Sequence, residues 1–169
     1  MSKRYYTLSV FTENKIGLLN RITAMFTRQH INIESIAASE SEIDGIHRYT
    51  IVVFEDKNAV QKLVKQIEKQ VEVLKAFYHE EEETVFQEIA LYKLPSKTMN
   101  KAGFMEELIR NHNVRLLSVE EAFMVLEKTG QRHETQALLN YLQPYGLLEF
   151  VRSGRVAVTK PMATLESYL

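Results

Sequence analysis

The sequence of 169 residues contains no cysteine and carries a formal net charge of only −1 at pH 7. Without cysteine there is no disulfide, no thiolate nucleophile and no cysteine-ligated metal site, and this composition fits a reducing compartment. The 21 Lys and Arg residues are balanced by 22 Asp and Glu residues, and the densest basic stretch is Lys62–Lys69. Binding to nucleic acid through neutralisation of phosphates is therefore disfavoured.

Long apolar runs are also missing from the sequence. No stretch approaches the roughly 20 apolar residues that a helix needs to cross a bilayer. No signal peptide or transit segment precedes the alternating pattern of Tyr6, Leu8 and Val10, so the sequence predicts a cytoplasmic protein of bacterial type. Hydrophobic residues make up 45% of the chain, which is ordinary for a globular protein. The length allows two small domains, or one compact domain with an extension.

Residue patterns that are typical of catalysis are scarce. The sequence has no glycine-rich phosphate loop, nucleophile elbow or zinc signature, and its five histidines form no pair at helical spacing. The carboxylate pairs Glu42/Asp44 and Glu120/Glu121 lie at predicted turns, where no burial would tune one of them for acid–base work. We therefore identify no catalytic residue and no metal ligand.

Hydrophobic periodicity predicts alternating strands and helices in the first 80 residues. Residues 5–12 alternate with period two, as a half-buried strand does, and apolar residues at helical spacing follow Gly17. Asp44-Gly45 is a turn signal between two strand-like runs, which predicts a hairpin. The order β-α-β-β-α-β is that of the ferredoxin-like fold. The predicted elements are strands at 5–12, 31–40, 47–54 and 71–78, with helices over 18–26 and 60–67.

Four consecutive glutamates, Glu80–Glu83, interrupt this pattern and are expected to form a solvated linker. The same order of elements then repeats without an obvious repeat of residues. We therefore expect an α+β protein of two ferredoxin-like βαββαβ domains, at residues 1–80 and 84–160, followed by a tail at 161–169 that is expected to fray. The second set of predicted elements comprises strands at 85–94, 114–119, 122–127, 147–151 and 155–159, with helices around 104–109 and 137–142.

The stretch most typical of a binding site is Asn14–Leu19, which joins the first predicted strand to the first helix. The start of a helix carries unpaired N–H groups and a partial positive charge, which together favour a carboxylate. Gly17 at this junction would let a ligand approach the backbone closely.

Two asparagines, Asn14 and Asn32, are expected at strand ends that face the same edge, where their amides would bind polar groups of the ligand. Together these groups would suit a free amino acid. In the alternative interpretation, Asn14 and Gly17 form only a tight turn and a helix cap, and the spacing leaves both interpretations open. Apolar walls for the ligand would come from Ile16, Leu18 and Ile33.

These residues carry a resemblance to a known family. The segments Leu8–Val10, Glu13–Ile22, Phe26 and Asn32–Ile36 are similar to the ACT-domain pattern V-x-N-x-x-G-x-L-x-R, a phenylalanine, and N-I-x-S-L. Residues 5–79 thus resemble an ACT domain, and the chain from 5 to 158 resembles the small regulatory subunit of acetohydroxyacid (acetolactate) synthase. Further matches to that family are Arg48–Val53, Val71–Lys75, Tyr145–Glu149 and Arg152–Ala157.

The resemblance implies a protein without an active site or a cofactor of its own. Family members bind a catalytic large subunit that uses thiamine diphosphate, FAD and magnesium, raise its activity, and confer feedback inhibition by valine, leucine or isoleucine in branched-chain amino acid biosynthesis. ACT domains pair edge to edge as homodimers, with the effector between the first helix of one protomer and the second strand of the other. The implied effector-binding residues are Asn14, Lys15, Ile16, Gly17, Leu18, Asn32 and Ile33.

The sequence departs from the family pattern next to its second predicted strand. His30 replaces a glycine that usually ends the first helix, and Ile31 replaces an aromatic residue. Because histidine adopts left-handed backbone angles more often than most residues, we expect the turn to survive. Around Glu88–Lys93 the family spacing E-x-x-L-x-K is only loosely kept.

Two other functions remain open from the sequence. A stand-alone ACT-type sensor of another enzyme would share the site at Asn14–Gly17, but it would not need the pattern at Tyr145–Gly154. A small ferredoxin-like enzyme of the acylphosphatase kind would need an arginine in the first loop to hold phosphate, and Glu13–Gly17 contains none.

Overall fold

The structure is a computed structural model that describes residues 2–162 and 164–168. It divides into two compact units, one formed by Met1–Phe86 with Gly154–Leu169 and the other by Gln87–Ser153. Each unit contains an antiparallel sheet and two α-helices in the order βαββαβ. The predicted class, α+β with two ferredoxin-like domains, is confirmed.

The first unit has the strand order β2-β3-β1-β4. Its neighbouring strands pair antiparallel throughout. Because β2 and β4 end the sheet, each leaves one edge of backbone N–H and C=O groups without a neighbouring strand in this sheet. The elements are β1 (Arg4–Glu13), α1 (Leu18–Arg28), β2 (Ser35–Glu40), β3 (Ile46–Glu55), α2 (Lys57–Ile67) and β4 (Val73–Glu80).

One face of this sheet packs against both helices. Alternate residues of β1, namely Tyr6, Leu8 and Val10, are buried in the core, as the period of two for a strand requires. Residues at helical spacing face them from α1 and α2. These helical core residues are Leu18, Ile22 and Phe26 from α1, with Val60, Leu63 and Ile67 from α2.

The predicted second strand, 31–40, begins later than expected, at Ser35. His30 has the left-handed φ of 55°, which confirms that histidine is accommodated at this turn. The chain then turns back under the end of α1, where the Ile31 N–H donates to the Phe26 carbonyl at 2.9 Å and the Ile31 side chain is buried. The apolar residues at 31 and 33 therefore reflect packing below the helix and not strand pairing.

The second face of the same sheet is covered by described residues of the C-terminal segment, which comprises 154–162 and 164–168. Arg155 donates to the Thr7 hydroxyl at 3.0 Å, and Arg48 donates to the Ala157 carbonyl at 2.6 Å. Residues 154–160, which were expected to belong to the C-terminal domain at 84–160, thus belong to the first unit. Burial on this face extends to residues that alternate with the core positions, namely Thr7, Ser9, Phe11, Thr50 and Val52.

The expectation of a solvated linker at Glu80–Glu83 is wrong. The glutamates expected to form a solvated linker instead end β4 and form a short 3-10 helix, Glu81–Glu83, in which Glu81 pairs with Arg155 at 2.7 Å. The tail at 161–169, which was expected to fray, contains a further 3-10 helix, Leu165–Tyr168, and Leu165 is buried. Positions 163 and 169 of that tail lie outside the described residues.

The second unit repeats the topology with the strand order β6-β7-β5-β8. Its core contains Tyr92 and Leu94 from β5 and Leu108 from α3. A partly buried ion pair at 2.7 Å joins Glu88 to Arg152, and Thr135 donates to the same carboxylate. The elements are β5 (Thr84–Pro95), α3 (Phe104–His112), β6 (Arg115–Val119), β7 (Phe123–Gly130), α4 (Arg132–Leu142) and β8 (Glu149–Arg152). Residues 84–86 of β5 belong to the first unit, as does β9 (Val156–Thr159), which pairs with β5.

Candidate functional site

The predicted site begins in the loop that joins β1 to α1. The Asn14 N–H donates to the Gly45 carbonyl at 3.2 Å, which ties this loop to the β2–β3 hairpin. Gly17 caps the helix with a left-handed φ of 83°. A Cβ built at Gly17 would have nothing within 4 Å, so the space above this backbone is open to a ligand.

The two helices of the first unit begin in different ways. The carboxylate of Asp56 caps α2 and accepts the N–H groups of Asn58 and Ala59 at 3.0 and 3.1 Å. Gly17 has no side chain with which to cap α1, and the first turn of α1 contains no acidic residue. The partial positive charge at the start of α1 is therefore not offset by a local carboxylate, and a ligand carboxylate would be favoured there.

Lys15 lies at the rim of this loop. Its ammonium group forms an exposed ion pair with Glu13 at 2.6 Å. The hydrogen bond to Glu13 raises the pKa of Lys15, so the side chain is charged at neutral pH. Because exposed ion pairs contribute little stability, Lys15 can exchange Glu13 for the carboxylate of a ligand at small cost.

The apolar residues of the predicted site are placed differently from one another. Ile16 is fully exposed beside Gly17 and is free to contact a ligand. Leu18 has no exposed surface and packs in the core, so its expected place in the ligand wall is wrong. Ile33 is partly buried and packs against the core from the segment before β2.

The sequence predicted Asn14 and Asn32 at the same edge of the sheet. The structure does not place them there. Asn14 precedes α1 and Asn32 follows it, so the two residues lie at opposite ends of an 11-residue helix. A helix of that length spans about 16 Å at 1.5 Å per residue. The exposed amide of Asn32 donates to Glu34 at 3.1 Å. One chain therefore does not bring the two asparagines to one small ligand.

Arg21 and Glu72 are positioning residues that the sequence analysis did not single out. Arg21, on the first turn of α1, donates to the Glu72 carboxylate at 2.7 Å. This hydrogen bond lowers the pKa of Glu72. The backbone carbonyl of Glu72 accepts from the Glu13 N–H at 3.0 Å, which holds the loop from below. The sequence did contain a signal for Arg21, because this residue occupies the arginine position of the ACT-domain pattern.

Within residues 2–162 and 164–168, no group of three His, Asp or Glu side chains is placed to hold a metal ion. No helix in those ranges is long and apolar enough to cross a membrane.

Comparison with known families matches both halves of the chain. Residues 8–75 match a family model described as an AHAS small subunit-like ACT domain, where AHAS stands for acetohydroxyacid synthase, another name for acetolactate synthase. Residues 87–161 match the family model of the small subunit of acetolactate synthase.

Individual relatives match over nearly the whole chain. The acetolactate synthase small subunit of Bacillus subtilis is 36% identical over 159 residues, which cover 94% of this chain and 91% of the relative. That of Mycobacterium bovis is 32% identical over 160 residues, which cover 95% of each. The crystal structure of the Thermotoga maritima small subunit superposes with a TM-score of 0.84 at 28% identity, covering 95% of this chain and 99% of that one. The chain belongs to the family of acetolactate synthase small subunits, with an ACT domain in its N-terminal half.

Proposed function

We propose that this chain is the regulatory subunit of an acetolactate synthase in branched-chain amino acid biosynthesis. In this role it binds the catalytic large subunit in the cytoplasm, raises its activity, and confers feedback inhibition by valine, leucine or isoleucine. The thiamine diphosphate, FAD and magnesium of the reaction belong to the catalytic partner. The observation that carries the proposal is the open start of α1 at Gly17, which has no side-chain cap, in a chain that matches the family over nearly its whole length.

The loop Asn14–Gly17 offers each part of an amino-acid effector a suitable group. The carboxylate would accept N–H groups at the start of α1, where the helix dipole favours negative charge. The side chain would lie against the exposed Ile16. Asn32 lies at the far end of α1, so the Asn32 that completes the site would come from a second copy of the chain. The effector site would then lie between the two chains of a homodimer.

The test is a reconstitution with a purified catalytic large subunit. Acetolactate formation is measured for the large subunit alone, for this chain alone, and for the mixture with and without each branched-chain amino acid. We expect no product from this chain alone, a several-fold higher rate in the mixture, and inhibition of the mixture by at least one amino acid. A mixture that is no faster than the large subunit alone would contradict the proposal, and amino-acid binding without activation would favour a sensor of another enzyme.

A further inference from the structure

The second face of the first sheet contains a cavity that the proposed effector site does not use. Its volume is about 160 Å³, and its floor is formed by Ser9, Phe11, Arg48, Phe77 and His79. The register places these residues side by side, because Phe11 pairs with Arg48 on β3 and Ser9 pairs with Phe77 on β4. The C-terminal segment closes the other side of the cavity with Val158, Thr159 and Leu165, and the exposed Glu42 also lines it.

Arg48 is a partly buried cation that has only neutral acceptors. Its Nη2 donates to the Ser9 hydroxyl at 3.2 Å and to the Ala157 carbonyl at 2.6 Å. Its Nε is enclosed and has no hydrogen-bond partner in the described part of the chain. Burial lowers the pKa of Arg48, and the exposed Glu42 offsets this only through its charge.

Arg155 on the same face of the sheet is an arginine whose charge is compensated. Arg155 is also buried, but it forms an ion pair with Glu81 at 2.7 Å and a hydrogen bond with Thr7. A buried charge is stable when an opposite charge and hydrogen bonds compensate for the lost water. Arg48 forms no such ion pair, because Glu42 acts on it through its charge without a hydrogen bond. An anion bound in the open space beside the guanidinium group would supply the missing pair.

The other lining groups restrict the kind of anion. His79 has an enclosed Nε2 without a hydrogen-bond partner among the described residues. Burial lowers the pKa of His79, so its ring is neutral at neutral pH. Phe11, Phe77 and Leu165 give the cavity apolar walls. A free phosphate would leave these walls uncovered, whereas a carboxylate with a hydrocarbon chain would cover them.

The size of the cavity fits a small molecule. One water needs roughly 10–15 Å³ of such volume, so the cavity of about 160 Å³ has room for a ligand with several non-hydrogen atoms. We propose that this cavity binds a small carboxylate with a short aliphatic chain, the carboxylate paired with Arg48 and the chain packed against Phe11, Phe77 and Leu165.

This site is separate from the proposed effector site at Gly17. Ser9 and Phe11 alternate along β1 with Leu8 and Val10, which face the helices. The cavity therefore lies on the face of the sheet opposite α1. A ligand there contacts residues of the C-terminal segment, so its binding would stabilise that segment on the sheet.

The test uses the complete folded chain with Gly17→Asp, so that the proposed effector site cannot contribute. Isovalerate is titrated by calorimetry, and the imidazole signals of His79 are followed by NMR. Isopentylamine, which has a similar chain and an ammonium group, is the control ligand. Valine, titrated in the same way, shows whether the site prefers a simple acid or an amino acid.

Two matched variants locate the binding. Val158 lines the cavity, whereas Val156 lies two residues earlier on the same strand, does not line it, and is equally exposed (59% against 58%). We expect Val158→Trp to weaken isovalerate binding at least tenfold, and Val156→Trp to leave it unchanged. Arg48→Met should weaken binding to a similar extent, and Val158→Trp keeps the test valid if Arg48→Met does not fold.

The expected result is saturable isovalerate binding that shifts the His79 signals, with no binding of isopentylamine. The proposal is overturned if isovalerate does not bind, if the amine binds equally well, or if Val158→Trp and Val156→Trp have the same effect. Because the experiment needs no catalytic subunit, its failure would leave the regulatory function of the chain untouched.

Discussion

At the scale of single residues, two glycines play the same structural role, each as the left-handed residue that begins a helix, one in each unit. Gly17 begins α1 and Gly103 begins α3, with φ angles of 83° and 74°. A Cβ at either position would have nothing within 4 Å. The helix dipole alone suggests that an aspartate is tolerated at Gly17, but the left-handed φ adds a cost that the sequence did not show. This cost is about 1 kcal/mol for a residue with a side chain.

We predict that Gly17→Asp and Gly103→Asp lose a similar amount of stability, about 1 kcal/mol each, while only Gly17→Asp loses feedback inhibition. The reason is that an aspartate at Gly17 places a negative charge where the effector carboxylate would meet the start of α1. Inhibition and activation are measured on the same preparation of each variant, and stability by urea unfolding. If Gly17→Asp abolished both properties, the loop would have a structural role, and if it changed neither, the effector would bind elsewhere.

Gly154 is a glycine of a different kind, because it is required for close packing. A Cβ at this position would lie 2.7 Å from the Ile36 carbonyl oxygen and 3.1 Å from the Ala37 nitrogen, both of which are backbone atoms. Backbone of a paired strand cannot move aside as the end of a flexible side chain can, so the C-terminal segment itself must shift.

We predict that Gly154→Ala destabilises the first unit by about 1–3 kcal/mol, the usual cost of overpacking, and makes residues 154–168 more sensitive to protease. Gly130→Ala is the matched control, because its Cβ would meet side-chain atoms of Glu134, the nearest at 2.9 Å. Thermal unfolding and limited proteolysis of both variants provide the comparison. If both variants lost the same amount of stability, the close contact of Gly154 with the backbone of β2 would not be the cause of the loss.

At the scale of elements, periodicity predicted the strands and helices well because each pattern depends on neighbours along the chain. The helical spacing of Leu18, Ile22 and Phe26 identified α1, and the alternation of β1 identified the face that packs against it. The C-terminal segment could not be predicted in this way. Its anchors join residues that are 109 and 148 positions apart in the sequence, and no local pattern reports such contacts.

The run of glutamates illustrates the same limit. As sequence, Glu80–Glu83 is a cluster of like charges, for which a solvated linker is the ordinary prediction. In the fold, Glu80 ends β4 and joins the starts of two other elements. Its carboxylate lies 3.1 Å from the Lys57 ammonium group on α2 and 2.9 Å from the Arg4 guanidinium group on β1. The hydrogen bond from Lys57, and after it that from Arg4, lowers the pKa of Glu80.

A carboxylate whose pKa is lowered by folding stabilises the protein above its ordinary pKa, and this stabilisation is lost as the pH falls through the lowered value. We therefore predict that Glu80→Gln lowers the melting temperature at about pH 6, and that the difference from the wild type shrinks towards about pH 3. Glu82→Gln removes the same charge from an exposed neighbour and is the control. A difference that stays constant over this range would show that these ion pairs do not contribute.

At the scale of the whole molecule, the proposed effector site is incomplete in a single chain. Asn14 and Gly17 lie at one end of α1 and Asn32 at the other, about 16 Å away by the rise of the helix. A two-fold axis would place the Asn32 of one copy opposite the Asn14 of the other, and it would do so twice. Strand β2 ends its sheet and begins at Ser35, two residues after Ile33, so it is the edge through which such a pairing would be made.

This arrangement couples effector binding to association of the chains. A ligand that contacts two copies at once binds the dimer and not the monomer, so by linkage it must shift the equilibrium towards the dimer. We predict that the chain is a dimer at micromolar concentration, and that a saturating branched-chain amino acid lowers the dissociation constant of the dimer at least tenfold. Sedimentation velocity over a dilution series measures this constant with and without the amino acid.

Gly17→Asp is the control variant. Without ligand it should form the dimer with the same affinity as the wild type, because residue 17 belongs to the ligand site and not to the edge of β2. It should show no response to the amino acid. A stable monomer in the presence of the amino acid, or an amino acid that binds without changing the dimer affinity, would show that one chain holds the effector alone.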